Sequence, residues 1–279
     1  MDKMDNKMQH MKSGFSAVLV FCGLLLLAIN LYGLTQNIRP EGLESAPMRF
    51  NNDLTISYSQ ALQELERREG EANQIYAQRM TSLITGALAH ILWEKQIDTS
   101  QYNQLVPVWE NYFLYFMGKY SGIPEYKKYH FANFKRSLSR GIGICGDASM
   151  IMSQVLNQAG TDNKIVSFPG HVIISAQINE NDDMLFDPDF GVSIPVSLGN
   201  VAKSKDIVIR AYNEQGYSIE QSEYMANVYT NPYQEWNGVQ HFITKKYYFE
   251  HITYFLKWVM PISFFFLAFF LLKGRKKVL

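Results

Sequence analysis

The chain has 279 residues, enough for one or two domains, and its 26 Lys+Arg balance its 26 Asp+Glu. That balance lacks the basic excess of a nucleic-acid binder, and 47% hydrophobic against 19% charged residues excludes wholesale disorder. Two cysteines exclude a disulfide-stapled scaffold and the cysteine-rich zinc modules.

In chain order, a tail over 1–13 leads into an uncharged stretch, Ser13 to Asn37, with an aliphatic centre at Val18–Leu27. About 20 apolar positions at about 1.5 Å each cross the hydrocarbon of a bilayer, so 14–34 reads as a membrane span. A cleavable signal peptide is the competing reading; the length and the lack of a small-x-small site after Leu27 argue against it. A linker over 35–55 follows, with Pro40, Gly42 and Pro47. The part over 56–125 is helical. Ser57 and Gln60 have capping-box spacing, and Ala61, Leu62, Leu65, Ile75, Tyr76, Met80, Leu83, Ala87, Leu88 and Ile91 recur at helical spacing. Gly70 breaks this run. Asn111–Lys119 is a short aromatic helix, and Ser121–Pro124 a turn.

The core is expected over 126–198. It opens with a helix over Tyr126–Ser139, basic on one side. After Gly141-Ile142-Gly143-Ile144 comes Cys145, then a helix with one apolar face made by Ala148, Ile151, Met152, Val155, Leu156 and Ala159 and stopped by Gly160. Three strands follow, Lys164–Phe168, Gly170–Ile178 and Met184–Asp187, with a polar hairpin tip at Asn179–Asp183. The part over 199–250 holds helices at Val201–Asn213 and Ser218–Val228. A second span over 251–272 carries Lys257 near its outer end, placed to snorkel, and Pro261, expected to kink the helix without ending it. The closing tail, 273–279, has four basic residues in Lys273-Gly274-Arg275-Lys276-Lys277.

Lys3, Lys7 and Lys12 before the first span and the basic tail after the second place both termini in the cytoplasm; Arg39 and Arg49 weaken the bias at the first span. The soluble part between the spans is then extracytoplasmic, on the outer face of an inner or plasma membrane. Tyr247, Tyr248, Tyr254 and Trp258 suit an aromatic belt.

The soluble part contains one cysteine, since Cys22 lies within the first span. Cys145 stands between glycines at the start of a helix, where unpaired N–H groups and the helix dipole favour thiolate. A small buried hydrophobe is an equal reading on position alone. His171 opens a strand after Phe168-Pro169-Gly170, and Asp187 lies sixteen residues later, before Pro188. An even separation about the turn puts both on one sheet face and allows direct pairing, with Cβ atoms about 5 Å apart. Alone, each has a plain structural reading, a capping histidine and a turn aspartate.

Gly143-Ile144-Cys145-Gly146-Asp147-Ala148, Gly170-His171-Val172 and Asp187-Pro188, in that order, resemble the transglutaminase-like superfamily; the resemblance covers about 139–195. It implies an α+β, papain-like core in which the cysteine helix packs on a small antiparallel sheet, here with added N-terminal helices and two flanking spans. It implies Cys145 as nucleophile, His171 as base and Asp187 as orienting group. The family includes cross-linkers, peptidases, amidases and inactive members. Acyl transfer or amide hydrolysis on a protein, peptide or glycan-linked amide follows, with no cofactor, metal or nucleic acid, in a bacterial envelope setting. The alternative is a silent scaffold of an envelope or surface-polysaccharide complex. Trp93, Trp109 and Tyr129 are the options for an oxyanion donor besides the Cys145 backbone N–H.

Other groups read more plainly. Asp147 caps the cysteine helix. Glu180, Asp182, Asp183, Asp187 and Asp189 lack EF-hand spacing and read as a solvated acidic tip rather than a calcium site. Lys127, Lys128, Lys135, Arg136 and Arg140 form either a solvated helix face or a site for an anionic substrate or headgroup. His90, His130, His241 and His251 show no metal-ligand pairing.

Overall fold

The computed structural model describes residues 2–45, 50, 53–90 and 102–273. Its α-helices are α1 (Asp2–Gly33), α2 (Tyr58–Glu64), α3 (Asn73–Ala87), α4 (Tyr112–Tyr120), α5 (Pro124–Lys127), α6 (Phe134–Arg140), α7 (Cys145–Gln158), α8 (Lys205–Glu214), α9 (Ile219–Val228), α10 (Val239–Phe242) and α11 (Thr244–Lys273). Its strands are β1 (Asn163–Phe168), β2 (His171–Gln177), β3 (Asp183–Asp187), β4 (Val192–Ile194) and β5 (Gln234–Trp236). Contacts divide the chain into two compact units. One comprises Met1–Ile38, Asn103–Tyr129 and Phe249–Leu279, the other Arg39–Tyr102 and His130–Tyr248.

The first unit holds two helices long and apolar enough to cross a membrane, Gln9–Gly33 and Thr244–Lys273. They run antiparallel. Ser16 donates to the Ala268 carbonyl at 3.4 Å, and Asn30 to the Lys257 carbonyl at 2.5 Å. Between these contacts a Cβ on Gly23 would come within 2.9 Å of Phe265, so glycine permits the close crossing that packing in lipid relies on. Phe15, Phe21, Leu24, Phe266, Phe269 and Phe270 face outward, an apolar surface suited to acyl chains. Pro261 lies inside α11, which continues through it. Lys257 does not snorkel outward. It is buried, with its ammonium donating to the Glu110 carbonyl at 2.6 Å and lying over the Tyr254 and Trp258 rings. Asn111 caps α4 by accepting from Phe113 and Leu114 N–H.

The second unit is α+β. Its antiparallel sheet has the order β4-β3-β2-β1-β5, and both faces are covered. Alternate residues go to opposite cores, as the strand period of two requires. Ile165, Ile174 and Phe186 join a core with α3 and α7; Val166, Ile173 and Leu185 join a second with α8 and α9. This double burial explains why the strand runs are nearly continuous in apolar residues. Strands β4 and β5, three residues each, are too short to show alternation. Gly70, at φ +72°, lies between α2 and α3, and Gly160, also at +72°, follows α7.

The single helix expected over Tyr126–Ser139 is two, α5 and α6. Asn133 accepts from the Arg136 N–H at 3.2 Å and starts a new helix there, an alternative that Asn side chains offer the backbone. Arg140 is fully buried, its guanidinium 4.8 Å from the Phe131 ring centroid, and so is not on a solvated face. Arg49, Ile91, Trp93, Arg275, Lys276 and Lys277 lie outside the described residues.

Candidate active site

Helix α7 begins at Cys145, and its first turn is fixed from two sides. At its third residue Asp147 reaches back to accept from the Ile144 N–H at 3.1 Å, the half of a capping box that needs only the acid; Ile144 has no acceptor to return. Ser149 donates to the Val172 carbonyl at 3.0 Å, tying the same turn to the start of β2. Burial works against the Asp147 carboxylate, but the His130 imidazole, 2.7 Å away, and the buried Arg140 hold its pKa below the ordinary value. The two glycines around the cysteine differ. A Cβ on Gly143 would lie 3.0 Å from Asp147 and Leu88, so this glycine serves packing; on Gly146 it would meet nothing, leaving room beside the thiol.

His171 is the first residue of β2. Its Nε2 and Asp187 Oδ2 are 2.7 Å apart. The two residues do share a face, but they are not directly paired. Ile174 lies opposite Phe186 and Ser175 opposite Leu185, a register two residues off direct pairing of His171 with Asp187. Gln177 pairs with Asp183, so the hairpin turns about Glu180, and the imidazole meets Asp187 on a diagonal. Asp187 ends β3 and closes onto Val192 of β4.

Asp187 is fully buried and uses both oxygens. Oδ1 accepts from the Asp189 and Phe190 N–H groups at 3.1 and 3.2 Å, which builds the turn into β4. Oδ2 takes His171 and two phenols: Tyr212 of α8 donates to it, Tyr229 donates at 3.2 Å, and the two phenol oxygens are 2.6 Å apart. Burial opposes the charge on both members of the His171–Asp187 pair. Their attraction and shared hydrogen bond outweigh it, with further help from Tyr212 for Asp187 and from Cys145 for His171. His171 is therefore raised well above the ordinary histidine value and Asp187 lowered. Burial and the Asp187 charge push Tyr212 and Tyr229 well above the usual phenol value, so both remain neutral donors.

With Nε2 committed to Asp187, Nδ1 is the nitrogen left to face the thiol. Cys145 is half-buried and free, and Sγ, a His171 ring nitrogen and an Asp189 carboxylate oxygen lie within 4.8 Å of one another. This trio has the donor types that a zinc ion accepts. Its other capability is proton transfer between a thiol, an imidazole and an acid.

Asp189 and Asp187 are thus not part of a solvated acidic tip. Glu180 and Asp182 are exposed there, whereas Asp187 and Asp189 are buried, and Asp183 holds Ser175 and the Leu198 N–H. His90 is buried against Asp53, and the half-buried His130 pairs with Asp147, so these two histidines serve acid–imidazole pairs. Trp93 lies outside the described residues, and the Tyr129 hydroxyl is engaged with Glu250. The sequence reading missed Tyr212, Tyr229, Asp189, His90 and Asp53. Spacing of Val208 and Tyr212 by four marks an inward face of α8, but not that the phenol reaches a carboxylate. An open cleft lined by Asn157, Asp162, Gln177, Glu180 and Glu235 lies elsewhere and holds none of the thiol cluster.

No protein-family model, curated protein or solved structure matches the chain.

Proposed function

We propose that the chain is a membrane-anchored thiol enzyme of transglutaminase-like type, catalysing acyl transfer or amide hydrolysis through Cys145, His171 and Asp187. The observation that carries this reading is His171, held by Asp187 through Nε2 while its other nitrogen is left for the Cys145 thiol. In the first half-reaction Sγ attacks an amide or ester carbonyl and a C–S bond forms. The C–N or C–O bond breaks, and the His171 Nδ1 proton goes to the leaving group. The Asp187 carboxylate keeps Nε2 protonated and the ring oriented. The substrate class is a protein, peptide or glycan-linked amide. The antiparallel pairing of α1 with α11 supports both termini on one side, and the basic tails assign that side to the cytoplasm. The thiol then works at the outer face of the membrane, in a cell-envelope setting.

The test is covalent trapping. The full chain in detergent, incubated with an activated ester, should gain one acyl group mapped by peptide mass to Cys145. Cys145→Ala should abolish the adduct. An adduct spread over surface lysines, or none on Cys145, contradicts the reading.

A further inference from the structure

A second buried acid–imidazole pair converges on the same thiol. His90 Nδ1 lies 2.6 Å from Asp53 Oδ1, and the His90 backbone N–H donates to Asp53 Oδ2 at 2.8 Å. Its other ring nitrogen, Nε2, is 3.3 Å from Asp189 Oδ1. All three residues are buried. The fold specifies this arm in detail. Ala89 pairs with Ile142 in a parallel bridge, with Ala89 N–H donating to the Gly141 carbonyl at 2.8 Å and Gly143 N–H to the Ala89 carbonyl at 3.2 Å. This places His90 beside the segment that leads into Cys145. On the other side, Thr85 donates to the Pro188 carbonyl at 2.8 Å and packs against Gly191, which has φ +73°, fixing the loop that carries Asp189. Phe50 packs its ring, tilted, against both His90 and Phe190, at ring centroids of 5.1 and 4.8 Å.

Burying two more carboxylates and an imidazole beside a thiol is costly unless they are paired; His90 is paired with Asp53 and turns its free side toward Asp189 at 3.3 Å. The His171–Asp187 pair already accounts for formation of the thioester. Breakdown of that thioester requires an acceptor bearing an O–H or N–H, water or an amine, to be held against the acyl carbon and to lose a proton. Two hydrogen bonds of about 2.8 Å meeting at a tetrahedral angle span about 4.6 Å. The Cys145, His171 and Asp189 atoms lie within 4.8 Å of one another, so one such acceptor can reach both Asp189 and His171.

Resting on the thiol-enzyme reading, we propose that Asp189, backed by His90 and Asp53, receives the acceptor in the second half-reaction. Asp189 is a catalytic residue for breakdown of the Cys145 thioester, and His90 and Asp53 are its positioning residues. Asp189 accepts a hydrogen bond from the acceptor O–H or N–H. The acceptor forms its new bond to the acyl carbon as the C–S bond breaks. The acceptor proton passes to His171 Nδ1, which gave up its own proton in the first half-reaction, and Sγ leaves as thiolate. The resting state is restored with atoms and charge balanced.

The experiment is pre-steady-state kinetics of the full chain in detergent with p-nitrophenyl acetate, with Cys145→Ala as the baseline. The burst of nitrophenolate reads acylation and the steady state reads breakdown; intact mass reads acetyl-enzyme. Asp189→Asn should raise the ratio of burst to steady-state rate by at least about tenfold, the lower range of an acid–base contribution, with acetyl-enzyme accumulating. His90→Gln should do the same to a smaller degree with its melting temperature preserved, and it serves if Asp189→Asn does not fold. Runs with and without ethanolamine distinguish water from an amine as the acceptor: loss of the amine-dependent rate alone marks an amine site, loss of both a shared one. A ratio unchanged in both folded variants, or burst and steady state falling in parallel, overturns the proposal. A wild type that shows no Cys145-dependent burst instead sinks the thiol-enzyme reading on which it rests.

Discussion

A carboxylate has two oxygens, and Asp187 gives them different work. Oδ1 shapes the turn into β4, while Oδ2 holds His171, Tyr212 and Tyr229. Asp187→Asn separates these roles. Asparagine retains one carbonyl oxygen for the Asp189 and Phe190 N–H groups, so the turn should persist. Its NH₂ replaces the charged acceptor, so the His171 imidazolium loses its counter-charge. The pH dependence follows from the directions of the two shifts. His171 is raised on folding, so its contribution to stability is complete below about pH 6.5 and is lost as pH rises through the folded value. Asp187 is lowered, so its contribution is complete above about pH 4 and is lost as pH falls through the folded value. The wild type should therefore lose stability on going from about pH 6.5 into the alkaline range, and Asp187→Asn should flatten that limb. Melting temperatures of both proteins from pH 5 to 9 check this; identical slopes would mean that the pair is not charged in the folded state. Position in the sequence revealed His171 and Asp187 because both lie on one hairpin, where a period of two fixes the face. It concealed Asp53, His90 and Asp189 because 37 residues and no periodicity separate the first two.

At the scale of elements, α7 depends on its first turn. Asp147 caps the Ile144 N–H and carries the charge that His130 and Arg140 face. Asp147→Ala removes the cap and leaves a half-buried histidine and a buried arginine without their anion. The expected cost is about 2–4 kcal/mol, a cap plus a broken buried charge pair. Urea unfolding of the full chain in detergent measures it, and a change under about 0.5 kcal/mol, ordinary for a surface site, would show that the cluster does not support the helix. The helix itself was legible, because Ala148, Ile151, Met152, Val155 and Leu156 repeat at its period and Gly160 ends it. The three longer strands were legible too. The break between α5 and α6 was not, because Tyr129 and Phe131 continue an apolar pattern although the Asn133 side chain starts a new helix.

On the scale of the whole chain, the two apolar helices were the plainest feature of the sequence, since length and lack of charge suffice to mark them. Their mutual contacts through Gly23, Asn30 and Ser16 were not, because packing in lipid uses small and polar residues that hydropathy ignores. Lys257 shows the same limit: its position near the helix end pointed outward, whereas the Glu110 carbonyl takes it inward. Reporter fusions should place Ser121 outside and Leu279 in the cytoplasm. A cytoplasmic Ser121 would remove the envelope setting while leaving the chemistry of the site intact. That chemistry has its own direct measurement, the rate of Cys145 alkylation by iodoacetamide across pH in wild type and in His171→Ala, read by peptide mass in a Cys22→Ser background. An imidazole that takes the thiol proton predicts labelling near neutral pH that is several-fold faster in wild type than in His171→Ala. Superimposable profiles for the two proteins would contradict a Cys145–His171 pair.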